Sequence, residues 1–203
     1  MINISKMSKY YGEYPAVIDV SFNISKGESI GLLGPNGAGK STTMKVMTGY
    51  TPPTSGNVNI GGYDIIKNSI DARKLIGYLP ESVPLYTDMT VKEYLSYMGS
   101  LRGMGKNILN RVDEVIDLTS LNQYKNVLIS KLSKGYRQRT GIAQAILHKP
   151  KILILDEPTI GIDPVQVVET RKLIQNLGEE HTLILSSHIL PEVTSCLLYT
   201  SDA

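Results

Sequence analysis

The chain has 203 residues, which is enough to bury a full hydrophobic core in one or two domains. Hydrophobic residues make up 41% of it and charged residues 20%, a composition that excludes a disordered chain. The near balance of 21 basic and 19 acidic residues argues against nucleic-acid binding as the main function. The single cysteine excludes an intrachain disulfide framework. No apolar run approaches the roughly 18 residues of a membrane span, which argues against a transmembrane segment.

Strand-like and helix-like patterns alternate along the first part of the chain, as is typical of an α/β fold with a mainly parallel sheet. An apolar strand runs directly into a glycine-rich turn, and a helical pattern follows that turn. Pro80 ends a further short strand. The predicted elements are strands at 17–24, 29–33, 58–60 and 76–79 and a helix at 41–48.

The middle of the chain, from 85 to 146, carries helix signals and few strand signals. Thr90 and Glu93 match a Thr-x-x-Glu capping box at the start of a helix. Apolar residues recur at helical spacing over 107–118, and a third helix is predicted over 135–147. We therefore interpret 85–146 as an inserted α-helical subdomain.

The C-terminal part returns to the α/β pattern. Residues 151–155 form a continuous apolar run, typical of a strand buried on both faces, and 182–185 form another. A helix with proline at its first position is predicted over 164–177. Residues 1–84 and 147–194 together are predicted to form the core of a single domain.

A phosphate-binding loop occupies residues 34–42, which match G-x-x-x-x-G-K-[ST]. Its glycines let successive N–H groups point inward at the phosphates, and the following helix aims its N-terminus at the same anion. The alternative, a chance glycine-rich turn, is disfavoured because a strand precedes the motif and a helix follows it. The candidate nucleotide-binding residues are Gly34, Asn36, Gly37, Gly39, Lys40, Ser41 and Thr42, of which Lys40 would reach the β- and γ-phosphates and Ser41 would bind Mg²⁺.

Two adjacent acids end the apolar strand at 152–156. Asp156 lies where ligands bind in open α/β folds, at the C-terminal edge of the sheet, and is expected to hold Mg²⁺. Glu157 would accept a proton from the attacking water or polarise it. Alone, the pair would suggest an ordinary strand end with two solvated acids. The phosphate-binding loop in the same chain favours the functional interpretation.

A third motif indicates a family. Residues 132–139 read Leu-Ser-Lys-Gly-Tyr-Arg-Gln-Arg and resemble the LSGGQ signature of ATP-binding cassette (ABC) proteins. Asp156-Glu157-Pro158-Thr159, Gly161-Ile162-Asp163-Pro164 and His188 follow in an order and spacing that resemble an ABC nucleotide-binding domain over residues 1 to about 194. The resemblance implies a P-loop NTPase core of the RecA type with an antiparallel β region near the N-terminus, and it implies ATP and Mg²⁺ as cofactors.

The resemblance also implies roles for single residues. Ser133 and Gly135 would bind the γ-phosphate of ATP held by the other subunit of a head-to-tail dimer. Asp163 resembles the residue that links the two sites across that dimer. His188 resembles the switch histidine that contacts the γ-phosphate and the attacking water.

An aromatic residue near the N-terminus completes the expected nucleotide site. Tyr11, before Gly12, resembles the aromatic side chain that stacks on adenine. Tyr10 and Tyr14 are competing candidates, and packing in the core is the alternative for all three.

Glu81 departs from the family pattern, which usually has glutamine there as a contact to Mg²⁺ and to the transmembrane partner. Glutamate keeps an oxygen ligand and adds a negative charge, so we expect Glu81 to bind Mg²⁺ at least as well. Together with Lys134 and Tyr136 in the signature, Glu81 makes the chain resemble the subfamily that serves export-type permeases. That subfamily includes sodium-efflux, drug-efflux and gliding-motility cassettes.

The last residues do not resemble the family, which continues after this point with further strands and helices. We therefore interpret 195–203 as a non-native tail and expect the natural protein to be longer.

The function that the resemblance implies is the ATPase subunit of a transporter on the inner, cytoplasmic face of the cell membrane. Two nucleotide-binding domains, identical or different, would sandwich two ATP molecules and drive a separate polytopic permease, with no nucleic-acid partner. Two alternatives are a soluble ABC ATPase acting on ribosomes or DNA and a non-catalytic nucleotide-gated module. The chain shows one cassette and no heptad run, against the first, and keeps Lys40, Asp156, Glu157 and His188, against the second.

Overall fold

The computed structural model describes residues 1–191 and Thr194, which form two four-stranded sheets with helices around them. The strands are β1 (Ile2–Tyr11), β2 (Tyr14–Ile24), β3 (Ser29–Leu33), β4 (Ser55–Ile60), β5 (Tyr63–Asp64), β6 (Ile76–Leu79), β7 (Ile152–Asp156) and β8 (Thr182–Ser187). The helices are α1 (Lys40–Met47), α2 (Ser69–Lys74), α3 (Val91–Leu101), α4 (Ile108–Leu118), α5 (Lys134–Ile146) and α6 (Pro164–Glu180), with single 3₁₀ turns at Gly105–Asn107, Asn122–Tyr124 and Ile129–Lys131. The interpretation of 195–203 as a non-native tail lies outside the described residues.

The second sheet is parallel, in the order β3-β8-β7-β6, and confirms the predicted α/β class. Four segments with candidate site residues leave this sheet at its carboxyl edge. The phosphate-binding loop follows β3, Glu81 follows β6, Glu157 follows β7 and His188 follows β8. The fold therefore brings together residues that are up to about 150 positions apart in the chain, at the edge where open α/β folds bind ligands.

The first sheet is antiparallel, in the order β2-β1-β4-β5, and confirms the antiparallel region expected near the N-terminus. The β1–β2 hairpin pairs Tyr11 with Tyr14 across its tight turn. Strand β2 begins three residues before the predicted start at 17. β1 was not among the predicted strands, because a register shift between Ser5 and Ser8 interrupts its period-2 alternation.

The core lies on both faces of the parallel sheet. Along β7, Leu153 and Leu155 pack with the helices α3, α4 and α5, whereas Ile152 and Ile154 pack with α1 and the antiparallel sheet. All four side chains are fully buried. Because successive side chains of a strand point to opposite faces, a continuous apolar strand contributes to the apolar layers on both sides of the sheet.

The three helices predicted for the middle of the chain are present as α3, α4 and α5. Helix α3 begins directly after Thr90, and α4 and α5 lie within one residue of their expected bounds. The capping box of α3 forms as expected: the Glu93 N–H donates to Thr90 Oγ1 over 3.3 Å, and the Thr90 N–H donates to Glu93 Oε2 over 2.8 Å. The division into a core and a helical subdomain at 85–146 stays a prediction. Within the described part of the chain, every helix is too short or too polar to cross a lipid bilayer.

Candidate functional site

A cleft of about 310 Å³ opens where the phosphate-binding loop, the β1–β2 hairpin and the carboxyl edge of the parallel sheet meet. Its volume is at the lower end of the range for small-molecule sites, about 300–1,000 Å³. The lining residues are Tyr11, Tyr14, Ala16, Asn36, Gly37, Ala38, Gly39, Lys40, Ser41, Thr42, Glu81, Glu157 and Ile160. The cleft thus brings together the predicted adenine-stacking residue, six of the seven predicted loop residues and two of the predicted acids.

The phosphate-binding loop has the conformation that its glycines allow. Gly37 and Gly39 have φ values of 85° and 88°, in the left-handed region. Gly39 is the N-cap of α1 and has no side chain with which to cap it, so the first N–H groups of the helix have no side-chain acceptor there. Such a helix start binds anions. Gly34 does not line the cleft, but its carbonyl accepts a 2.6 Å hydrogen bond from Lys40 Nζ.

The two acids after β7 have different surroundings. The Asp156 side chain is buried, and its Oδ1 accepts hydrogen bonds from Ser41 Oγ over 3.1 Å and from Ser186 Oγ over 2.6 Å. The Glu157 carboxylate lines the cleft between two partners, with Oε1 at 3.6 Å from Lys40 Nζ and Oε2 at 3.0 Å from His188 Nδ1. The structure therefore brings Lys40, Glu157 and His188 together.

The residues predicted to hold Mg²⁺ fit a hard cation. The Ser41 hydroxyl and the Asp156 carboxylate already lie within hydrogen-bonding distance of one another. Glu81 lines the same cleft. Mg²⁺ prefers oxygen donors of this kind, usually one or two carboxylates together with substrate phosphates. The donor set is therefore suited to Mg²⁺ in complex with a nucleotide.

Two tyrosines face the cleft from the β1–β2 hairpin. Tyr11 is 49% exposed and Tyr14 is 64% exposed, and both line the cleft. Tyr10 is exposed as well but does not line it. The alternative of core packing is therefore wrong for all three side chains, and Tyr14 is the one remaining competitor of Tyr11 among them.

The signature residues lie outside the cleft lining and contact α6 instead. Ser133 caps α5, with Oγ accepting from the Tyr136 N–H over 3.4 Å. Asp163 caps α6 by accepting from the Gln166 N–H over 3.0 Å. The Gln166 side-chain amide donates from Nε2 to Ser133 Oγ over 3.3 Å. Ser133 and Asp163 thus share one neighbour, Gln166, and a Cβ added at Gly135 would also meet it.

Two side chains that bond to predicted site residues were missed in the sequence. Ser186 contacts Asp156, and Gln166 contacts Ser133. Ser186 could have been identified from its position, because it is a hydroxyl residue near the end of an otherwise apolar strand, in the Ser-Ser-His run after 182–185. Gln166 gave no such signal, because its partner lies 33 positions away on another helix.

Comparison with known proteins places this site in a family. The family profile described as ABC transporter matches residues 17–160. The chain is 39% identical over 195 residues to the bacitracin transport ATP-binding protein BcrA of Bacillus licheniformis, covering 95% of this chain and 63% of that protein. It is 40% identical over 197 residues to the linearmycin resistance ATP-binding protein LnrL of Bacillus subtilis (strain 168), with the same two coverages. The chain thus spans less than two thirds of the length of these relatives.

A solved structure has the same fold. The ATP-binding cassette MJ0796, as a dimer in a post-hydrolysis state bound to ADP and Pi, superposes with a TM-score of 0.86 at 25% identity. The superposition covers 96% of this chain and 91% of that one. The fold of the described chain is therefore that of an ABC ATPase cassette, a P-loop NTPase.

Proposed function

The chain belongs to the ABC transporter family, and from this premise we propose that it binds and hydrolyses ATP to power a separate transmembrane permease. The observation that carries the proposal is the position of the Glu157 carboxylate, which lines the cleft between Lys40 and His188 beside the phosphate-binding loop. Relatives named for transport and for resistance support the transporter context.

The phosphates of ATP would lie on the N-terminus of α1, where the first N–H groups have no side-chain cap and Lys40 lines the cleft. Lys40 would exchange its bonds to the carbonyls of Gly34 and Pro35 for the β- and γ-phosphates. Ser41 and Asp156 would hold Mg²⁺, with Glu81 at the edge of the same cleft. When bound, the cation would neutralise charge on the phosphate oxygens.

Glu157 would act as the general base for the attacking water. A general base contributes typically about 10²–10⁴-fold to a rate. His188 Nδ1, at 3.0 Å from Glu157 Oε2, would orient this carboxylate and face the γ-phosphate with the rest of its ring. Tyr11 would stack on the adenine ring at the other end of the cleft.

Catalysis in this proposal takes place in a dimer. Ser133 and Gly135 would bind the γ-phosphate held by a second nucleotide-binding domain, identical or different, and Asp163 would couple the two sites. The structure of a dimeric cassette with the same fold supports this arrangement.

The permease would contact the segment after Glu81 and the helices that follow. Tyr86, Tyr97 and Leu101 are 48%, 42% and 62% exposed. The rings of Tyr86 and Tyr97 pack edge to face with centroids 5.7 Å apart. This exposed surface around the start and end of α3 is suited to a helix of a membrane protein, and it would hold the chain on the inner face of the membrane.

The test is Glu157→Gln, with Glu179→Gln on the exposed end of α6 as the matched control. We expect wild type and control to hydrolyse ATP at the same rate. The Glu157 variant should bind ATP, turn over about 10²–10⁴-fold more slowly and form an ATP-dependent dimer in size-exclusion chromatography with light scattering. Wild-type turnover in the Glu157 variant would contradict its role, and ATP binding without turnover in the wild type would favour a non-catalytic module.

A further inference from the structure

Ser186 is a fully buried hydroxyl near the carboxyl end of the parallel sheet, 0% exposed. It lies on β8 directly opposite Asp156 of the neighbouring strand β7, in parallel register. Residues opposite each other in adjacent strands direct their side chains to the same face of a sheet. The register therefore places the Ser186 hydroxyl beside the Asp156 carboxylate.

The single hydroxyl makes two hydrogen bonds to the acidic pair. Ser186 Oγ donates to Asp156 Oδ1 over 2.6 Å and accepts from the Glu157 N–H over 3.0 Å. A serine hydroxyl has one donor and two acceptor positions, so both bonds form at once. The first bond is short, as expected when the acceptor is a carboxylate.

The bond to the Glu157 N–H acts on a strained position. Glu157 has a φ of 48°, in the left-handed region that every residue except glycine disfavours. Such a conformation persists only where its surroundings hold it in place. It also sets the direction in which the Glu157 carboxylate leaves the chain, toward Lys40 and His188.

The same strand end also carries the second catalytic candidate. His188 follows Ser186 by two residues and contacts Glu157 Oε2. Asp156 Oδ1 is held from its other side by Ser41 Oγ of the phosphate-binding loop. Ser186 is therefore the point at which β8 is bonded both to the predicted Mg²⁺ ligand and to the backbone of the predicted base.

We infer that Ser186 is a positioning residue, which fixes the Asp156 carboxylate for Mg²⁺ and holds the Glu157 backbone in its strained conformation. This inference rests on the proposed ATPase function. Residues that orient a metal ligand by hydrogen bonding typically change metal affinity or activity by about 10–100-fold when they are replaced. The effect should therefore fall on kcat and on Mg²⁺-dependent binding, and not on adenine recognition.

The test is Ser186→Ala with Thr182→Val as the matched control. Thr182 is a buried hydroxyl on the same strand, and its Oγ1 accepts a 2.8 Å bond from the Gly27 N–H. Both variants lose one buried hydroxyl bonded to a backbone N–H, but Ser186→Ala also loses the bond to the Asp156 carboxylate, so its stability in urea should fall further than that of Thr182→Val. Only the Ser186 variant should lose kcat for ATP, by about 10–100-fold, and its KM should rise in step with the loss of Mg²⁺-dependent binding.

A second readout is independent of turnover. Calorimetric titration with ATP, in Mg²⁺ and in EDTA, measures how much the cation strengthens binding. We expect Ser186→Ala to lose about tenfold of that gain and to have no added effect in an Asp156→Asn background, because the two residues would act as one unit.

The outcomes separate the inference from the proposed function. If the wild type hydrolyses ATP and Ser186→Ala matches Thr182→Val in kcat and in the Mg²⁺ titration, the inference is wrong and the function stands. If the wild type does not hydrolyse ATP, the proposed function fails, and the Mg²⁺ titration still decides on Ser186.

Discussion

Replacing Gly39 by alanine perturbs the phosphate-binding loop in two ways, which the structure allows to be separated. The first is conformational, because alanine would have to adopt a φ of 88°. The second is steric, because an added Cβ would lie 2.7 Å from the Ala16 carbonyl oxygen and 3.0 Å from Val17 Cγ2. Gly37 has a similar φ of 85°, but a Cβ there would meet nothing within 4 Å. Gly37→Ala is therefore the control that isolates the conformational cost.

The magnitudes follow from these two contributions. A left-handed backbone costs a non-glycine residue roughly 1–2 kcal/mol, and alanine recovers about 0.4–1 kcal/mol by restricting the unfolded chain. Gly37→Ala should thus lower the free energy of unfolding by about 1 kcal/mol. Gly39→Ala adds a clash with the backbone of β2, and overpacking costs typically about 1–3 kcal/mol. We expect a total of about 2–4 kcal/mol.

The assay is urea unfolding of wild type and both variants, followed by titration with ATP. Relief of the clash would move the loop away from β2, so Gly39→Ala should also weaken ATP binding more than Gly37→Ala does. Equal losses of unfolding free energy in the two variants, within about 0.5 kcal/mol, would refute the steric argument. Equal losses would mean that the loop relaxes around the Cβ without cost.

Two other expectations concern the hairpin and a buried histidine. Base stacking on an aromatic ring contributes about 1–3 kcal/mol, so Tyr11→Ala should raise the Kd for ATP by about 5–150-fold. The control Tyr10→Ala should leave the Kd unchanged. Equal effects of the two substitutions would exclude stacking by Tyr11. Burial, reinforced by the charge of Arg102, lowers the pKa of His148 to about 4, and its Nε2 lies 3.0 Å from the Ile76 carbonyl oxygen. In the unfolded chain this histidine has its ordinary pKa of 6.5, so between about pH 6.5 and 4 the imidazole is protonated only in the unfolded state. The free energy of unfolding should therefore fall as the pH drops through that window. His148→Gln should reduce this slope, by at most about 1.4 kcal/mol per pH unit; identical slopes in urea unfolding would contradict the prediction.

What could be predicted from the sequence was local. The apolar run of β7 and the capping box at Thr90 and Glu93 each depend on residues within a few positions of one another. The α/β order followed from the alternation of such segments. β1 was missed because its register shift breaks the alternation on which strand prediction relies, and the six-residue helix α2 is too short to show a clear helical period.

The motif residues were identifiable because each motif is contiguous, but the contacts that join one motif to another were not. Ser186 lies 30 positions from Asp156, and His188 lies 31 positions from Glu157. Which side chains meet at a sheet edge depends on strand order and register. The order β3-β8-β7-β6 cannot be derived from the spacing of the strands in the chain.

Gly135, at the start of the signature helix α5, is expected to bind a nucleotide held by another subunit, but it also lies against Gln166 of its own chain. A Cβ at Gly135 would lie 1.5 Å from Gln166 Oε1. A larger residue at 135 would therefore displace the Gln166 side chain from its present position. Gln166 also bonds to Ser133 and to the helix cap Asp163. Because one residue joins all three, a movement of the start of α6 must displace Ser133 or break its bond to Gln166. Asp163 and the signature thus share a contact within one subunit, through the backbone and the side chain of Gln166.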